Sequence, residues 1–429
     1  MGKNKVDKSE NKKDYNEDCN IKESSFKRRF SSAVIASILA FIFGISLTNT
    51  CGLYTVSSDL FNKILNGEVY TAPSTFIKQK IPLKSVEIGL ASALVAIGAL
   101  FSSLGIAYIN TSLVTKFYIS SILYLLGNLI ISAIGNVYML YAGKFVIGLA
   151  AGVTCSIVPL YISLIAPENS EMLFNSMMPI GIVSGLLCGQ ISSYFYEKAE
   201  NWRTSFYITF LVLTINLVSL LFAQNINLKT NQEERIGMLQ LLRLKKARKS
   251  VIVSIIVHLA QQFSGINAVL IFSYSIFSKQ KDPGLYSILS LTVSLISTFL
   301  TIFTSKKFGR KRLLTASCLL CGIGLLGLIF DLFPLASMFI YMFGFNVGLS
   351  PIPWVITAEL FPPEYVVAGI QISTCVNWLS NAAVTIFFPV LQKILKSYAF
   401  SFFIVFMAFS AVFFTFFLKE TKGRGAKLQ

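Results

Sequence analysis

The chain has 429 residues, of which 54% are hydrophobic and only 13% are charged, and its net charge at pH 7 is +17. A soluble globular protein has about 25% charged residues, so this composition excludes an ordinary water-facing surface. The mean hydropathy is +0.67, and apolar runs of about 20 residues recur, which is the length that crosses a bilayer. The sequence therefore predicts an integral membrane protein. Its basic charge is expected to reflect topology and contact with the lipid bilayer, and nucleic acid is not an expected partner.

The predicted elements begin with a polar, highly charged segment, residues 1–30. This composition predicts a disordered basic tail without the apolar core of a signal peptide. Twelve apolar spans follow, and because no open sheet edge can face lipid, we expect them to be helices. In chain order, spans 1 to 12 cover residues 31–54, 85–109, 115–136, 138–161, 175–196, 204–224, 251–277, 285–304, 312–330, 336–357, 366–390 and 398–418.

A polar segment, residues 225–250, divides the spans into an N-terminal bundle, 31–224, and a C-terminal bundle, 251–418, which a short tail, 419–429, follows. This organisation predicts an all-α membrane protein of two pseudo-symmetric six-helix bundles, the arrangement of transporters that bind their ligand between two halves. Of the 37 lysines and arginines, 26 lie in the two tails and in the loops on the same side. The positive-inside rule then places both termini in the cytosol, with 225–250 as a cytosolic linker.

Enzyme chemistry is not expected from this sequence. It has a single histidine, His258, no paired carboxylates and no G-x-x-x-x-G-K-[ST] pattern for phosphate, so we predict no enzyme activity and no cofactor. Cys318 and Cys321 form a C-x-x-C pair inside span 9, without a second pair elsewhere. Packing is favoured over metal binding for this pair.

Span 7 carries an unusual run of polar residues, "QQFSGINAV", at 261–269. On a continuous helix Gln261 and Asn267 would point about 240° apart, so they can face one cavity only if the helix opens between them, at Ser264-Gly265. Amides both donate and accept hydrogen bonds, and a few of them can bracket an uncharged hydroxylated ligand. The same amides can instead hold helices together, and periodicity alone does not decide between these two interpretations.

Five ordered motifs resemble those of the sugar porter family of the major facilitator superfamily, most clearly over residues 250–424. "QQFSGINAV" is similar to the family's span 7 signature, "FGRKRLL" (308–314) to its loop between spans 8 and 9, and "PIPWVITAELFP" (351–362) to its span 10 motif. "NWLSN" (377–381) resembles its span 11 motif, and "KETKGR" (419–424) resembles the end of its span 12. The resemblance implies a major facilitator fold that moves a small-molecule sugar by alternating access and functions as a monomer.

Carried over position by position, the resemblance implies substrate-binding residues in spans 7, 10 and 11. They are Gln261, Gln262, Asn267, Asn346, Trp354, Asn377, Trp378 and Asn381. It implies gating residues where span 7 can open and where prolines interrupt span 10, although a static kink is equally open for the prolines. These are Gly265, Phe272, Pro351 and Pro353. It also implies a cytosolic latch of charged residues, formed by Glu359, Arg310 and Lys311.

The N-terminal half departs from the family pattern. Pro179 stands where the family has a sugar-binding glutamine in span 5, Leu164 replaces a glutamate, and Lys144 replaces an arginine in span 4. In the other half, Asn346 replaces the glutamate of many family glucose transporters. Losing both partners of an ion pair can be nearly neutral, so we expect a carrier with a differently biased gate rather than one that no longer transports.

Proton coupling is not favoured by the sequence. Span 1 of proton-linked family members has an aspartate, whereas here the span has no carboxylate and Ser46 lies nearby. A proton relay needs an ionisable group inside the membrane, and we expect none to face a central cavity. The sequence therefore predicts facilitated diffusion of a hexose, with glucose as first choice, across the plasma membrane. Proton coupling, another small neutral solute, and a sugar sensor that binds without transport stay open as alternatives.

Overall fold

The computed structural model describes residues 25–51, 53–54, 83–106, 109–167, 170–198, 201–226, 236–422 and 428. Most of the predicted N-terminal tail lies outside the described residues, as do positions 227–235 of the predicted linker and most of the C-terminal tail. Within the described part, the chain is nearly all helical, as predicted.

The N-terminal half of the described chain contains six long helices, one for each predicted span. Their bounds are Phe26–Thr48, Ser85–Gly105, Leu113–Ser132, Val137–Ile165, Glu171–Lys198 and Ser205–Ser219. Short 3-10 turns extend the sixth helix, so that span 6 covers Trp202–Phe222. The first helix begins five residues before the predicted span because the Ser25 side chain accepts a hydrogen bond from the Arg28 amide and caps it.

The C-terminal half follows the predicted order but is less regular. Its long helices begin after a short linker helix, Met238–Arg243, and spans 7 and 10 are each broken. The bounds are Arg248–Gln262, Ile266–Ile271 and Ser273–Ile276 for span 7, Pro283–Lys307 for span 8, Arg310–Ile329 for span 9, Pro334–Gly344 and Ile352–Leu360 for span 10, Pro363–Leu395 for span 11, and Ser401–Phe416 for span 12.

Eleven stretches of the described chain are long and apolar enough to cross a membrane. The last of them, Glu364–Phe416, is 53 residues long and contains both span 11 and span 12. A 3-10 turn, Lys396–Phe400, separates the two helices, and Lys396 reverses the chain with a φ of 51°. The eleven stretches therefore account for all twelve predicted spans.

Glycines bring neighbouring spans of the N-terminal half to backbone contact. Gly148 and Gly152 in span 4 lie directly against the backbone of span 2 at Val95 and Ala99, where an added Cβ would overlap main-chain atoms. Ala151, between them, is fully buried. Small residues in span 4 therefore allow close helix packing, the usual role of such residues within membranes.

The two halves meet along span 2 against span 11 and along span 5 against span 8. A Cβ on Gly89 would lie 2.6 Å from the Thr385 carbonyl oxygen and 2.9 Å from Pro389. In the second seam the Tyr194 hydroxyl donates to Asp282 Oδ2 at 2.6 Å. Since the spans alternate in direction, both contacts lie at the end of the bundle opposite Phe26 and Phe416, here called the far end. The opposite end is called the terminal end.

Candidate functional site

Span 7 opens at the predicted place. Its helix ends at Gln262 and resumes at Ile266, and Gly265 between them has a φ of +87°. Glycine adopts this left-handed conformation without the steric cost that a side chain brings. The hydroxyl of Tyr341 in span 10 donates to the carbonyl of Ser264 at 3.1 Å, which satisfies a backbone group that the break exposes inside the membrane.

Span 10 is irregular at the same depth. A π-helical segment, Phe345–Leu349, precedes the prolines that were predicted to interrupt it. Pro353 has no N–H, so the carbonyl of Leu349, four residues earlier, loses its usual helical donor. The Gln261 side chain replaces that donor, with Nε2 at 2.9 Å from the Leu349 oxygen and 3.0 Å from the Ser350 oxygen. One amide of span 7 therefore joins the irregular segments of the two spans.

A chain of amides continues from Gln261 into span 11 and back to span 7. Asn377 Nδ2 donates to Gln261 Oε1 at 2.6 Å, and Asn377 Oδ1 accepts from Gln262 Nε2 at 3.0 Å. Gln262 Oε1 in turn accepts from Asn267 Nδ2 at 2.6 Å. Gln261, Gln262 and Asn377 are buried, whereas Asn267 is half-buried. Four of the predicted binding residues thus form one continuous hydrogen-bonded network.

The single histidine extends this network toward the terminal end. His258 Nδ1 lies 3.2 Å from Asn377 Nδ2, and its Nε2 lies 3.1 Å from Thr357 Oγ1. Because the amide nitrogen can only donate, Nδ1 accepts and Nε2 carries the proton. The ring packs edge-on against Trp354, with centroids 5.0 Å apart. No role was predicted for His258, although its spacing of three and four residues from Gln261 and Gln262 places it on their face of the helix.

A cavity of about 80 Å³ lies between the two halves beside the network. Spans 1, 2, 4 and 5 line it from one half, and spans 7 and 11 line it from the other. Asn267, Trp378 and Asn381 contribute to its wall, so three predicted binding residues face the same space. A water molecule takes about 30 Å³ and ligand pockets measure about 300–1,000 Å³. The cavity therefore has to widen before it can hold a hexose.

Trp378 presents a hydrogen-bond donor that the described residues leave unused. Its side chain is 5% exposed, it lines the cavity, and its indole Nε1 has no hydrogen-bond partner among the described residues. An unpaired buried donor costs about 1–3 kcal/mol. A ligand that places an oxygen acceptor near Nε1 would remove that cost.

Five of the eight predicted binding residues do not line the cavity: three of them belong to the amide network described above, and Asn346 and Trp354 lie elsewhere. Asn346 Nδ2 donates to Ser294 Oγ at 2.8 Å, and Asn346 Oδ1 accepts from Thr298 Oγ1 at 3.3 Å, so this amide joins span 10 to span 8. Trp354 packs against His258 and is 38% exposed. Their contact with substrate stays a prediction, and in this conformation both side chains serve helix packing.

Lys144 contradicts the expectation that no ionisable group faces the central cavity. Its side chain is 1% exposed and lines the cavity. The ammonium Nζ donates to Thr50 Oγ1 at 2.8 Å and lies 3.4 Å from the carbonyl oxygen of Ser46. The expectation was wrong because the sequence locates Lys144 inside span 4 without showing which face of that helix turns toward the other half.

The predicted gating residues lie at the breaks in spans 7 and 10. Gly265 occupies the first break of span 7, and Phe272 occupies the second, where its ring packs against Phe388 of span 11 at a centroid distance of 5.5 Å. Pro351 and Pro353 lie where the last helix of span 10 starts. These positions suit hinges, and whether they move during a transport cycle stays a prediction.

The predicted latch residues lie at the terminal end of the C-terminal half. Arg310 Nη2 and Glu359 Oε1 form an ion pair at 3.1 Å. Lys311 contributes its backbone amide, which donates to Glu420 Oε2 at 3.3 Å, while the Arg310 amide donates to Glu420 Oε1 at 2.8 Å. A carboxylate at a helix N-terminus is favourable. Glu420 was not predicted as a member of this cluster, although it belongs to the "KETKGR" motif.

The Glu359–Arg310 pair gives a direct test of the latch. Both side chains are less than one-quarter exposed, and hydrogen bonds to charged groups contribute about 1.5–3 kcal/mol. We expect Glu359→Gln to lower the free energy of unfolding by about 1–2 kcal/mol, seen as a lower melting temperature in detergent. Glu364→Gln, at an exposed acid in the first turn of span 11, is the matched control. Equal melting temperatures for the two variants would contradict a stabilising pair.

A larger groove, about 620 Å³, lies on the outside of the bundle between spans 5, 6 and 8. Its wall is mostly apolar and includes Phe195, Ile208 and Leu295. Because its wall has few polar groups and includes the exposed Phe195, we place it against lipid. The smaller central cavity is the better candidate site, since convergent polar groups on an apolar wall are typical of ligand sites.

Two helical bundles, two broken helices and a cavity between the halves define a multi-pass membrane carrier. The sequence family described as "Sugar (and other) transporter" matches residues 32–226 and 223–429, and the chain belongs to that family. Human facilitated glucose transporter member 3 is 30% identical over 349 residues, which cover 67% of this chain and 69% of that protein. The glucose transporter GlcP of Staphylococcus epidermidis is 28% identical over 400 residues, covering 81% and 89%.

Solved structures show the same fold at lower sequence identity. The inward open conformation of the E. coli xylose transporter XylE aligns with a TM-score of 0.74 at 20% identity, covering 93% of this chain and 98% of that one. The nucleoside transporter NupG aligns with a TM-score of 0.67 at 14% identity, covering 91% and 100%. The predicted major facilitator fold is therefore confirmed.

Proposed function

We propose that the chain carries a hexose, with glucose as first choice, across a membrane by alternating access. The observation that carries the proposal is the cavity between the halves, whose wall includes Asn267 and also Trp378, an indole whose N–H has no hydrogen-bond partner among the described residues. Neutral side chains that donate and accept hydrogen bonds can pair with the hydroxyl groups of a sugar, and no carboxylate is needed for this. Relatives named as glucose transporters support the same substrate class.

Facilitated diffusion is the proposed mode. None of the residues lining the central cavity in the described part of the chain is an aspartate or glutamate, and such carboxylates are common proton carriers in transporters. Proton coupling is the second candidate, because the ionisable Lys144 lines the cavity. A carrier without coupling equilibrates its substrate, whereas a coupled one concentrates it when a proton gradient is imposed.

Alternating access would require the far-end contacts between the halves to separate. The Tyr194–Asp282 hydrogen bond and the close approach of Gly89 to span 11 hold that end together in this conformation. Gln261 links the breaks of spans 7 and 10, so movement at one break is transmitted to the other. Rocking of one half against the other around a fixed site is the general mechanism of such folds.

The plasma membrane, with both termini in the cytosol, is the proposed location. The orientation follows from the excess of lysine and arginine on the terminal side of the predicted spans. Accessibility of an engineered tag at either terminus in sealed cells would test it. A sensor with the same fold stays the different-class alternative, and it would bind sugar without carrying it.

Asn267 gives the sharpest mutational test of the binding site. Asn267→Ala should weaken sugar binding by about 1–3 kcal/mol, because it removes a cavity-lining amide and leaves Gln262 Oε1 without its donor. Equilibrium binding of labelled glucose to the purified protein measures the effect. Thr385→Val is the matched control, since Thr385 lines the same cavity but its hydroxyl bonds within its own helix. Unchanged affinity in Asn267→Ala would refute the assignment.

Gln261→Ala should weaken sugar binding by about 1–3 kcal/mol as well, and it should also lower stability. Both ends of the Gln261 side chain are engaged within the protein, so its loss leaves the Leu349 and Ser350 carbonyls without this donor. Melting temperature and glucose affinity are measured on the same preparation. If affinity and melting temperature both match the unmodified protein, the network does not support the site.

A further inference from the structure

The ammonium of Lys144 has unused hydrogen-bonding capacity at the cavity wall. A lysine ammonium has three N–H donors. Two of them have acceptors, Thr50 Oγ1 and the Ser46 carbonyl oxygen, and the remaining one has no hydrogen-bond acceptor among the described residues. Nζ also lies 5.7 Å from the centre of the Tyr54 ring, a cation–π contact close to the limit of about 6 Å for such contacts, and this contact uses no carboxylate. One donor of a buried cation is thus available to a ligand.

The charge on Lys144 lacks a carboxylate partner within the described part of the chain. Polar residues nearby in spans 1, 3 and 6 are neutral and bond to one another: Asn49 Nδ2 donates to Asn128 Oδ1 at 3.1 Å and lies 3.3 Å from Thr209 Oγ1. A cavity of about 80 Å³ has room for only a few water molecules, so hydration of the ammonium is restricted. An uncompensated charge in such surroundings is costly, and an anionic partner would offset that cost.

The cavity wall formed by the C-terminal half adds neutral hydrogen-bonding groups to the charged ammonium of Lys144. Trp378 offers its unpaired N–H, and Asn267 and Asn381 offer amides. The ammonium comes from the N-terminal half and these groups come from the C-terminal half, so one ligand would bridge both. Pro179, where the resemblance expects a binding glutamine, leaves the N-terminal half without that amide.

We propose that Lys144 is the substrate-binding group of the N-terminal half, and that the central site accepts sugar acids, meaning hydroxylated monocarboxylates such as a hexuronate, in addition to a neutral sugar. The inference rests on the proposed function and deepens it. The carboxylate pairs with the Lys144 ammonium, while the hydroxyl groups meet the indole and amides of the other half. Charge-assisted hydrogen bonds are roughly twice as strong as neutral ones, which favours the acid over an uncharged analogue.

The test compares two ligands of nearly equal shape on the full-length protein. D-Glucuronate and its methyl ester are titrated separately against labelled glucose, and each is also measured by the rise in melting temperature that it causes. In the unmodified protein we expect the acid to bind at least tenfold more tightly than the ester. Lys144→Met should abolish that ratio, whereas Lys144→Arg, which keeps the charge, should retain most of it. Equal affinities of acid and ester in the unmodified protein would overturn the proposal, and this comparison needs no variant to fold.

Lys116→Met is the matched control, because Lys116 is a buried lysine of span 3 that does not line the cavity. It should leave the ratio unchanged, and a loss of the ratio equal to that of Lys144→Met would contradict a specific role for Lys144. The outcomes also separate this inference from the proposed function. Stabilisation by the acid but not by glucose would refute a hexose carrier and support the sugar-acid site. Glucose binding with no preference for the acid over its ester would support the hexose carrier and refute the sugar-acid site.

Discussion

Replacing Asn377 with alanine should impair sugar binding more than any other single change in the amide network. We expect at least a tenfold loss of glucose affinity and a decrease of about 2–4 kcal/mol in the free energy of unfolding. Asn377 contacts Gln261, Gln262 and His258 at once, so its removal leaves three buried polar groups without their partner. Each such group costs about 1–3 kcal/mol when it stays unsatisfied, and because the costs of groups in one network are not additive, we expect a total below the sum of three.

Ser380→Ala provides the matched control for this experiment. Ser380 is buried in the same helix, three residues from Asn377, but its hydroxyl bonds only to the Val376 carbonyl one turn earlier. Glucose affinity and melting temperature should therefore stay close to those of the unmodified protein. If Asn377→Ala behaved like Ser380→Ala, the amide network would not organise the site, and the predicted binding residues of spans 7 and 11 would have to be abandoned.

Gly265→Ala should be strongly destabilising, by about 2–4 kcal/mol. The φ of +87° at Gly265 is strained for any residue with a side chain, which costs about 1–3 kcal/mol. A Cβ would also lie 2.6 Å from the Phe403 ring, and overpacking adds about 1–3 kcal/mol unless the ring moves. Thermal unfolding in detergent measures the change, and uptake should fall with it because the break positions Asn267.

Gly322→Ala is the control with the opposite expectation. Gly322 lies inside the helix of span 9, and an added Cβ would meet nothing within 4 Å. Alanine is the better helix former by about 1 kcal/mol, so this variant should be as stable as the unmodified protein or slightly more stable. A Gly265→Ala protein as stable as Gly322→Ala would contradict the left-handed break in span 7.

The twelve spans were predictable because the bilayer fixes the length of an apolar helix. The helix ends were less predictable, because local contacts decide them. Span 11 was predicted as 366–390, but its helix runs over Pro363–Leu395. Pro363 occupies the first helical position, where its missing N–H has no cost. The helix stops where Lys396 adopts a positive φ, which the apolar pattern does not indicate.

The two helix breaks at the candidate site could also be predicted from the sequence, because they depend on local residue types. Glycine at position 265 permits a backbone conformation that other residues avoid, and the prolines of span 10 remove helical hydrogen-bond donors, so both breaks could be placed. Side-chain partners across helices could not be placed, because they depend on how each helix is rotated. Asn346 turns toward span 8 rather than toward the cavity, and Lys144 turns toward the cavity.

Glu420 was missed for a different reason. It follows the last span in sequence and caps the start of span 9 in space, and this pairing of distant segments is set by tertiary packing alone. The Glu359–Arg310 pair was found only through the resemblance to a family. The partner of a charged residue at a helix end can be predicted only when the neighbouring helix end is known.

The most direct test of hexose transport is uptake of labelled glucose into proteoliposomes at equal pH on both sides, repeated with an imposed proton gradient. We predict saturable uptake that ends at equal concentrations, that unlabelled glucose on the far side accelerates, and that the gradient leaves unchanged. Accumulation driven by the gradient would contradict facilitated diffusion and direct attention to Lys144 as the proton-binding group. Absence of uptake, with glucose still raising the melting temperature, would contradict the carrier and support a sensor.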